Sequence, residues 1–355
     1  MIRTLRGVHD WFFGQGAYGV TVPPMDGPFR PNTLLDLAEG AKQEGEPDNL
    51  LRCGDHLFFS VGHVLYERTG AQSRAEVARF PSGVLALACD GHERVAVALA
   101  GEGIRVGAPD RLMDVSAVSV GRTDCVTALS FGPQGDLLVA VGSDENSSLD
   151  WARDLLERGA SGSLWSVSSD GVAQPLRTGL AWPAGVVIDT QGRVVYSEAW
   201  RHRLVRYTQN SGDAVVLDAL PAYPGRLVRE GASFWLCLFA PRRQLIEFVL
   251  REEAYRLSML QDVEPEYWIA PKLRARGGYL EPLQWGEVKQ LGIAKPWAPS
   301  LSYGLLARLD EAFVPRGSYH SRADGVRHGV CSVAVVGNQI HATSRGSMEL
   351  LTLDI

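Results

Sequence analysis

Short apolar runs recur along the chain, and polar turns that usually contain glycine separate them. Each unit has a start residue, a first apolar run, a turn and a second apolar run. Six such units occur, at residues 48–61, 82–99, 127–141, 184–198, 225–238 and 331–344. Runs of this length between turn residues are typical of β-strands. In the fourth unit, Asp189 and Gly192 stand first and fourth in the turn, which suits a type I hairpin turn.

Further β-type segments follow several units, for example residues 202–208 and 213–219. Each unit therefore predicts about four antiparallel strands, the sheet of one propeller blade. An isolated blade cannot bury both faces, so the blades must stack around an axis. We predict an all-β, six-bladed β-propeller that forms a single domain over residues 1–355. The last unit has too few strands after it, so a strand within residues 30–38 is expected to complete that blade and hide its edge.

Two helical insertions interrupt the repeats, near residues 144–160 and 242–300. Ser147 and Asp150 are start signals and Gly159 is a stop signal for a short helix in the first insertion. In the second, residues 242–261 predict a helix with a broad apolar face. That face is formed by Leu245, Phe248, Val249, Tyr255, Leu257 and Leu260. The second insertion packs on the propeller side, forms a homodimer contact or covers the channel as a lid; the sequence leaves these three open.

Composition narrows the classes of partner. The 355 residues are 45% hydrophobic and 21% charged, with a net charge of −6, so no basic surface for nucleic acid is indicated. No apolar run is long enough to span a bilayer, and the first residues lack the apolar core of a signal peptide. The five cysteines are widely spaced and include no CxxC pair. They predict reduced thiols in a cytoplasmic protein. The partner that we expect is a small molecule.

Four segments resemble strictosidine synthase-like proteins, which are six-bladed propellers related to gluconolactonases, paraoxonases and regucalcin. The segments are residues 26–36, 149–167, 179–207 (GLAWPAGVVIDTQGRVVYSEAWRHRLVRY) and 220–238. The resemblance extends from about residue 26 to 355 and is strongest at 125–240. It implies a central channel whose mouth is lined by the residue before each inner strand. In the hydrolase branches, several of those residues bind calcium, which activates an ester or lactone carbonyl or a phosphoester.

The resemblance places the four usual calcium ligands, a Glu, two Asn and an Asp, on Asp48, Thr127, Ala184 and Gly225. Calcium takes six to eight oxygen ligands, several of them carboxylate. One carboxylate and one hydroxyl do not supply them, and Arg226, next to Gly225, opposes a metal cation. We therefore expect no calcium cofactor. The Glu that strictosidine synthases use as acid and base falls on Cys331, which is not an equivalent acid.

The remaining candidates for chemistry lie at the channel mouth. The expected ring of start residues is Asp48, Ser82, Thr127, Ala184, Gly225 and Cys331. A polar loop before Cys331 carries three further candidates, His320, Asp324 and His328. In one hypothesis, Cys331 or a water attacks a carbonyl group with help from a histidine oriented by Asp324. In the other, Cys331 is a small strand-end residue and the loop is a solvated connection. Trp182 either walls the mouth or packs in the core.

These observations predict a small-molecule hydrolase-like enzyme that acts on an ester, lactone or related bond without calcium. Two alternatives stay open. One is a ligand-binding propeller without catalysis, since fold alone does not decide function. The other is a lyase or bond-forming enzyme of the strictosidine synthase type.

Overall fold

Antiparallel sheets make up most of the chain in the computed structural model. It describes residues 22–355 except 92–93, 110–119, 133, 210–211, 275–288, 291–292 and 295–300. The prediction of an all-β, six-bladed propeller is confirmed. Blade 1 consists of β2 (Pro47–Cys53), β3 (His56–Val61), β4 (Val64–Arg68) and β5 (Arg74–Arg79). Blade 2 consists of β6 (Val84–Cys89), β7 (Val95–Leu99) and β8 (Gly103–Gly107). Blade 3 consists of β9 (Val126–Phe131), β10 (Leu137–Val141), β11 (Gly162–Val167) and β12 (Ala173–Leu180).

The other three blades follow the same order from the axis outwards. Blade 4 consists of β13 (Pro183–Ile188), β14 (Val194–Glu198), β15 (Arg203–Arg206) and β16 (Ala214–Leu217). Blade 5 consists of β17 (Ala222–Glu230), β18 (Ser233–Pro241), β21 (Gly304–Leu309) and β22 (Pro315–Ser321). Blade 6 consists of β23 (Val330–Val336), β24 (Gln339–Ser344), β25 (Glu349–Asp354) and β1 (Glu39–Lys42). A separate two-stranded pair joins β19 (Lys289–Gln290) and β20 (Ile293–Ala294).

The first strands of the blades form a closed ring around the axis. Neighbouring first strands contact each other in the order β2, β6, β9, β13, β17, β23 and back to β2. The second strands β7 and β10 are buried at every residue, because adjacent blades cover both of their faces. The outer strands β5 and β12 carry exposed residues instead. This layering explains why the apolar runs mark the first two strands of each blade most clearly.

The strand that completes blade 6 is β1, whose Glu39 lies opposite Thr352 and whose Lys42 lies opposite Glu349. It follows the range 30–38 in which a closing strand was expected. Residues 30–38 are held instead on blade 5, where the Asn32 side chain bonds the Ser318 carbonyl and the His320 amide. The apolar pattern alone did not show whether residues 30–38 or residues 39–42 join the sheet of blade 6.

The first insertion contains a 3-10 helix (Ser148–Asp150) followed by α1 (Trp151–Glu157). After α1, Arg158 takes a positive φ of 58°, and the Gly159 amide bonds the Asp154 carbonyl. The second insertion has two helices, α2 (Gln244–Val249) and α3 (Glu253–Asp262), where one was predicted.

The predicted apolar face of the second insertion is only partly the buried one. Val249 is buried as expected, and Leu245 and Leu260 are partly buried beside it together with Ile246 and Met259, which were not predicted. The other predicted residues, Phe248, Tyr255 and Leu257, are about half exposed. The break between α2 and α3 changes the helical phase, which a single continuous helix would have kept. The buried side packs on Leu156 of α1, so the two insertions form one unit at the same end of the propeller.

The expectation of five free cysteines is wrong for one pair. Cys53 and Cys89 form a disulfide between blades 1 and 2. The ends of β2 and β6 lie side by side in the ring, which brings together two residues 36 positions apart. Cys125, Cys237 and Cys331 are free. Among the helices within the described ranges, none combines the length and apolarity needed to cross a lipid bilayer.

Candidate functional site at the mouth of the channel

A cavity of about 560 Å³ opens at the end of the channel where the first strands begin. All six blades contribute to its wall near the start of their first strands. Of the residues that the sequence predicted for the site, the cavity is lined by Asp48, Thr127, Trp182, Ala184, Gly225, Arg226 and Cys331. The repeat pattern therefore brought these residues to one cavity, because equivalent positions in a propeller converge on one end of the axis.

Ser82 is not among the residues that line this cavity. It lies in the turn before β6, and Gly83, Val84 and Leu85 take the lining position in blade 2. The first strand of blade 2 thus begins two residues later than the pattern suggested. The longer turn moves Ser82 away from the ring.

The predicted polar loop also lies elsewhere. His320 belongs to β22, the outermost strand of blade 5, and is fully buried. Its Nε2 lies 2.7 Å from the Ser318 hydroxyl and its Nδ1 lies 3.1 Å from the Tyr303 hydroxyl. Burial lowers the pKa of His320 to about 4. β22 extends as far as Ser321, which holds His320 on the outer side of the blade, and the polar loop expected at 320–329 begins only at residue 322.

His328 and Asp324 are likewise outside the cavity lining. His328 is buried, with Nδ1 2.8 Å from the Ser302 hydroxyl and Nε2 2.8 Å from the Arg322 carbonyl. Burial lowers its pKa. Asp324 is exposed and pairs with Arg322 at 3.3 Å. The described contacts therefore do not bring either histidine to Cys331.

Cys331 does reach the cavity, but its thiol is poorly suited to nucleophilic attack. Its Sγ lies 3.4 Å from the Gly329 carbonyl, to which it donates. Burial, with the charge of Asp48 adding to it, raises the pKa of Cys331 to about 12. Because the thiolate is the reactive form, this environment suppresses reactivity.

Glu46, Asp48 and Arg345 occupy one side of the cavity, where blades 6 and 1 meet, and Arg226 reaches Asp48 from blade 5. Asp48 Oδ1 accepts from Arg226 Nη1 at 2.5 Å. Glu46 Oε2 accepts from Arg345 Nε at 3.0 Å and from Arg345 Nη2 at 2.7 Å. Burial opposes ionisation of Asp48, but Arg226 and Arg345 outweigh it and hold the pKa of Asp48 below its usual value. Burial also acts against the charge of Arg345, yet its acidic neighbours raise its pKa overall.

Sequence reasoning missed Glu46 and Arg345. Glu46 stands just before β2, and Arg345 follows directly after the apolar strand β24. A charged residue directly after a buried strand can indicate a site residue, because its charged group must lie outside the core at one end of the sheet.

The opposite side of the cavity is aromatic and comes from blades 3, 4 and 5. Trp151 of α1, Trp182 and Phe239 line it. The Trp182 ring stacks on Trp200 with 5.2 Å between centroids, and Trp151 meets Phe239 edge to face at 5.6 Å. Asp154 anchors this group by accepting from Trp200 Nε1 at 2.7 Å. Blades 3 and 4 lie across the axis from blades 6 and 1, so the cavity has a charged side facing an apolar side.

Trp182 has an unexpected backbone conformation. The residue before a proline is normally extended, but Trp182 has a φ of 54°. Its carbonyl accepts from the Ala199 amide at 3.0 Å, and its ring is held on Trp200. Backbone conformations of this kind persist where surrounding contacts fix them, often at binding sites.

The residues at the predicted calcium positions do not fit a calcium ion. Thr127 donates its hydroxyl to the Pro183 carbonyl at 2.5 Å, and Ala184 and Gly225 have no side-chain oxygen. Asp48 is the remaining carboxylate at these positions, and an arginine is bonded to it. Among the residues with described positions, no group of three or more His, Cys, Asp or Glu could hold a metal ion.

Comparison with solved structures places the chain among six-bladed propellers. No protein-family model matches the sequence. No curated protein matches it either. A calcium-binding regucalcin from Agrobacterium tumefaciens matches with a TM-score of 0.55, 13% identity, and coverage of 90% of this chain and 94% of that one. A gluconolactonase from Xanthomonas campestris matches with a TM-score of 0.55, 9% identity, and coverage of 90% and 88%.

A streptogramin B lyase also matches, with a TM-score of 0.50, 9% identity, and coverage of 89% of this chain and 96% of that one. The chain is thus a six-bladed β-propeller similar in fold to gluconolactonase and regucalcin structures. At these identities the likeness establishes the fold alone.

Proposed function

We propose that this protein is a small-molecule hydrolase that cleaves an ester or lactone bond in the mouth cavity, with water as the nucleophile. One observation carries the proposal. Asp48 Oδ2 and Arg345 Nη1 stand 3.8 Å apart at the cavity wall. Within the described part of the chain, neither atom makes a hydrogen bond, although the other polar atoms of both side chains do. An acceptor and a charged donor are therefore available side by side to a bound molecule.

This pair matches the needs of hydrolysis at a carbonyl group. Asp48 Oδ2 holds the attacking water and takes its proton as the water oxygen bonds to the carbonyl carbon. Arg345 Nη1 donates to the carbonyl oxygen, on which negative charge develops. Collapse of this intermediate breaks the bond to the leaving oxygen, which departs with the proton from Asp48. The products are an acid and an alcohol, or a hydroxy acid from a lactone.

The electrostatics also indicate a substrate class. Because its pKa is held low, Asp48 stays ionised at neutral pH but is a weak base. A weak base suits carbonyl bonds that break readily, such as aryl esters and strained lactones. The aromatic side of the cavity provides a surface for the ring of such a molecule. The resemblance of the sequence to strictosidine synthase-like proteins also supports an active site at this end of the channel, where the first strands begin.

A ligand-binding propeller without catalysis is the second candidate. The contact of Asp48 with Arg226 favours it, since this ion pair stabilises the carboxylate and makes it less basic. Bond formation of the strictosidine synthase type has less support, because Cys331 stands where the acidic residue is needed. A cytoplasmic location and a homodimer through residues 242–300 stay predictions.

Hydrolysis of a panel of aryl esters and lactones tests the proposal. We expect turnover by the native protein, with and without a metal chelator. Asp48→Asn and Arg345→Met should each lower kcat/KM by about 100-fold or more, because each removes one side of the donor–acceptor pair. Glu230→Gln, which changes a partly exposed carboxylate of blade 5, is the matched control and should keep the native rate.

Two results would contradict this mechanism. Turnover abolished by the chelator would indicate a metal-dependent site. Binding of the same molecules without any turnover, detected as a rise in the melting temperature, would establish the ligand-binding candidate instead. Arg345→Lys keeps the positive charge and serves as a second control, because it distinguishes loss of the charge from loss of activity through misfolding.

A further inference from the structure

The guanidinium group of Arg226 lies on the axis of the propeller and is bonded to four other blades. Its Nη1 donates to Asp48 Oδ1 of blade 1 at 2.5 Å and to the Cys331 carbonyl of blade 6 at 3.3 Å. Its Nη2 donates to the Leu85 carbonyl of blade 2 at 2.9 Å. Its Nε donates to the Thr127 carbonyl of blade 3 at 3.2 Å. Four of the five guanidinium protons are therefore used, each with a different strand of the inner ring.

The remaining blade meets Arg226 through its backbone. A Cβ atom on Gly185 of blade 4 would lie 2.9 Å from the Arg226 Cα and 2.4 Å from the Gly225 carbonyl oxygen. Glycine is therefore required at this close approach. With Arg226 itself on β17 of blade 5, all six blades converge on this one residue.

Arg226 also divides the channel. Below the mouth cavity lies a second cavity of about 250 Å³, lined by residues from all six first strands. Of the residues with described positions, Arg226 is the one that lines both cavities. Its side chain thus forms the floor of the upper cavity and the roof of the lower one.

We propose that the Arg226 guanidinium is a built-in organic cation that fills the axial position of this propeller. The four oxygens around it, one carboxylate and three carbonyls, form a cage for a planar guanidinium ion. The calcium-binding regucalcin has the same overall fold, but here the oxygens that face the axis are occupied by a side-chain cation. Because the cage oxygens come from four strands and Arg226 from a fifth, Arg226 positions the ring and sets a positive charge beneath the mouth cavity. This proposal does not depend on the hydrolase proposal.

Chemical rescue tests the cage. Arg226→Ala removes the cation and leaves the four oxygens, so we expect the melting temperature to fall by roughly 5–10 °C. Guanidinium chloride at millimolar concentration should recover most of this loss by filling the cage. Arg229→Ala is the matched control, because Arg229 lies on the same strand and bonds carbonyl oxygens of blade 4. Its melting temperature should not rise with guanidinium.

The cation that restores the melting temperature distinguishes a guanidinium cage from a metal site. Failure of guanidinium to raise the melting temperature of Arg226→Ala above the response of Arg229→Ala would overturn the proposal. Rescue by calcium in place of guanidinium would also overturn it, since the oxygens would then form a metal site. The double variant Arg226→Ala/Asp48→Asn should respond less to guanidinium, because the charged member of the cage is gone.

A measurement on the native protein applies even if Arg226→Ala fails to fold. In nitrogen-15 NMR spectra, the Nη protons of Arg226 should be resolved from one another and exchange slowly with water, because both Nη atoms are bonded. Arg226→Lys identifies the signal by its loss. Exchange at the rate of a free arginine side chain would show that the guanidinium is not held, and would contradict the proposal.

Discussion

At the residue scale, burial and neighbouring charge determine which groups in the mouth cavity are reactive. Asp48 and Cys331 both line the cavity, and both stand at positions where the sequence predicts chemistry. Two arginines keep Asp48 ionised, whereas burial and the Asp48 charge keep Cys331 protonated. Residue type and position alone would have favoured the cysteine. The environment favours the carboxylate.

The thiol of Cys331 should therefore react slowly with alkylating reagents. With its pKa raised to about 12, the thiolate fraction at pH 8 is roughly 1000-fold smaller than for a thiol at the ordinary value of 9.0. We expect native Cys331 to be modified by iodoacetamide correspondingly more slowly than a free thiol, as followed by mass spectrometry of peptides. Labelling of the denatured chain provides the control. Modification at the rate of glutathione would restore Cys331 as a candidate nucleophile.

At the scale of elements, the short helix α1 forms part of the aromatic side of the cavity. It contributes Trp151 to the lining, and its Asp154 holds Trp200 behind Trp182. Asp154 is buried and also accepts from Asn146 Nδ2 at 3.1 Å. One carboxylate thus connects the first insertion to blade 4 and fixes the rings against which we propose that substrates pack.

Removal of this anchor should affect binding more than catalysis. In Asp154→Ala, Trp200 loses its hydrogen bond and the stacked rings are freed, so we expect KM for aryl substrates to rise about tenfold while kcat changes little. Asp154→Asn keeps an acceptor oxygen for Trp200 and should stay near the native KM. Steady-state kinetics of both variants measures the effect. An equal fall in kcat and kcat/KM for Asp154→Ala would place the residue in the chemistry itself.

Repeats and turns in the sequence were sufficient to predict the blades, because the first two strands of each blade are buried and therefore apolar. They also placed Asp48, Thr127 and Ala184 at the mouth. They did not place β1, whose four residues carry little pattern, or His320, which needs the pairing of β22 with β21 to locate it. Arg345 follows a second strand, and Trp151 belongs to an insertion. Their approach to Asp48 and Phe239 depends on how distant segments pack.

At the scale of the whole molecule, several histidines are buried with lowered pKa values. Burial lowers the pKa of His320 and of His341 to about 4, with Arg68 adding to the effect at His341, and it also lowers those of His202 and His328. In the unfolded chain, histidine titrates near pH 6.5. Between pH 6.5 and about 4 the unfolded state therefore binds more protons than the folded state, and stability falls as the pH falls.

The free energy of unfolding should show this dependence. From pH 7 to pH 5, His320 alone should cost about 2 kcal/mol. In His320→Gln the difference between the two pH values should be smaller by that amount, whatever the absolute stability of the variant. Urea denaturation at both pH values measures it, and His63→Gln, which removes an exposed histidine, is the control. An unchanged difference in His320→Gln would show that this histidine titrates normally in the folded protein.

The pairing of β1 with β25 also bears on how the protein is made. Residues 39 and 352 become neighbours only when the ring closes, so this contact has nearly the largest sequence separation that the described chain allows. Contacts of this kind form late, because a long loop must first be closed. Glu46 and Asp48 lie on one side of that seam, and Cys331 and Arg345 lie on the other. During synthesis the aromatic half of the cavity can assemble once blades 3 to 5 are present, but the charged half must await blade 6.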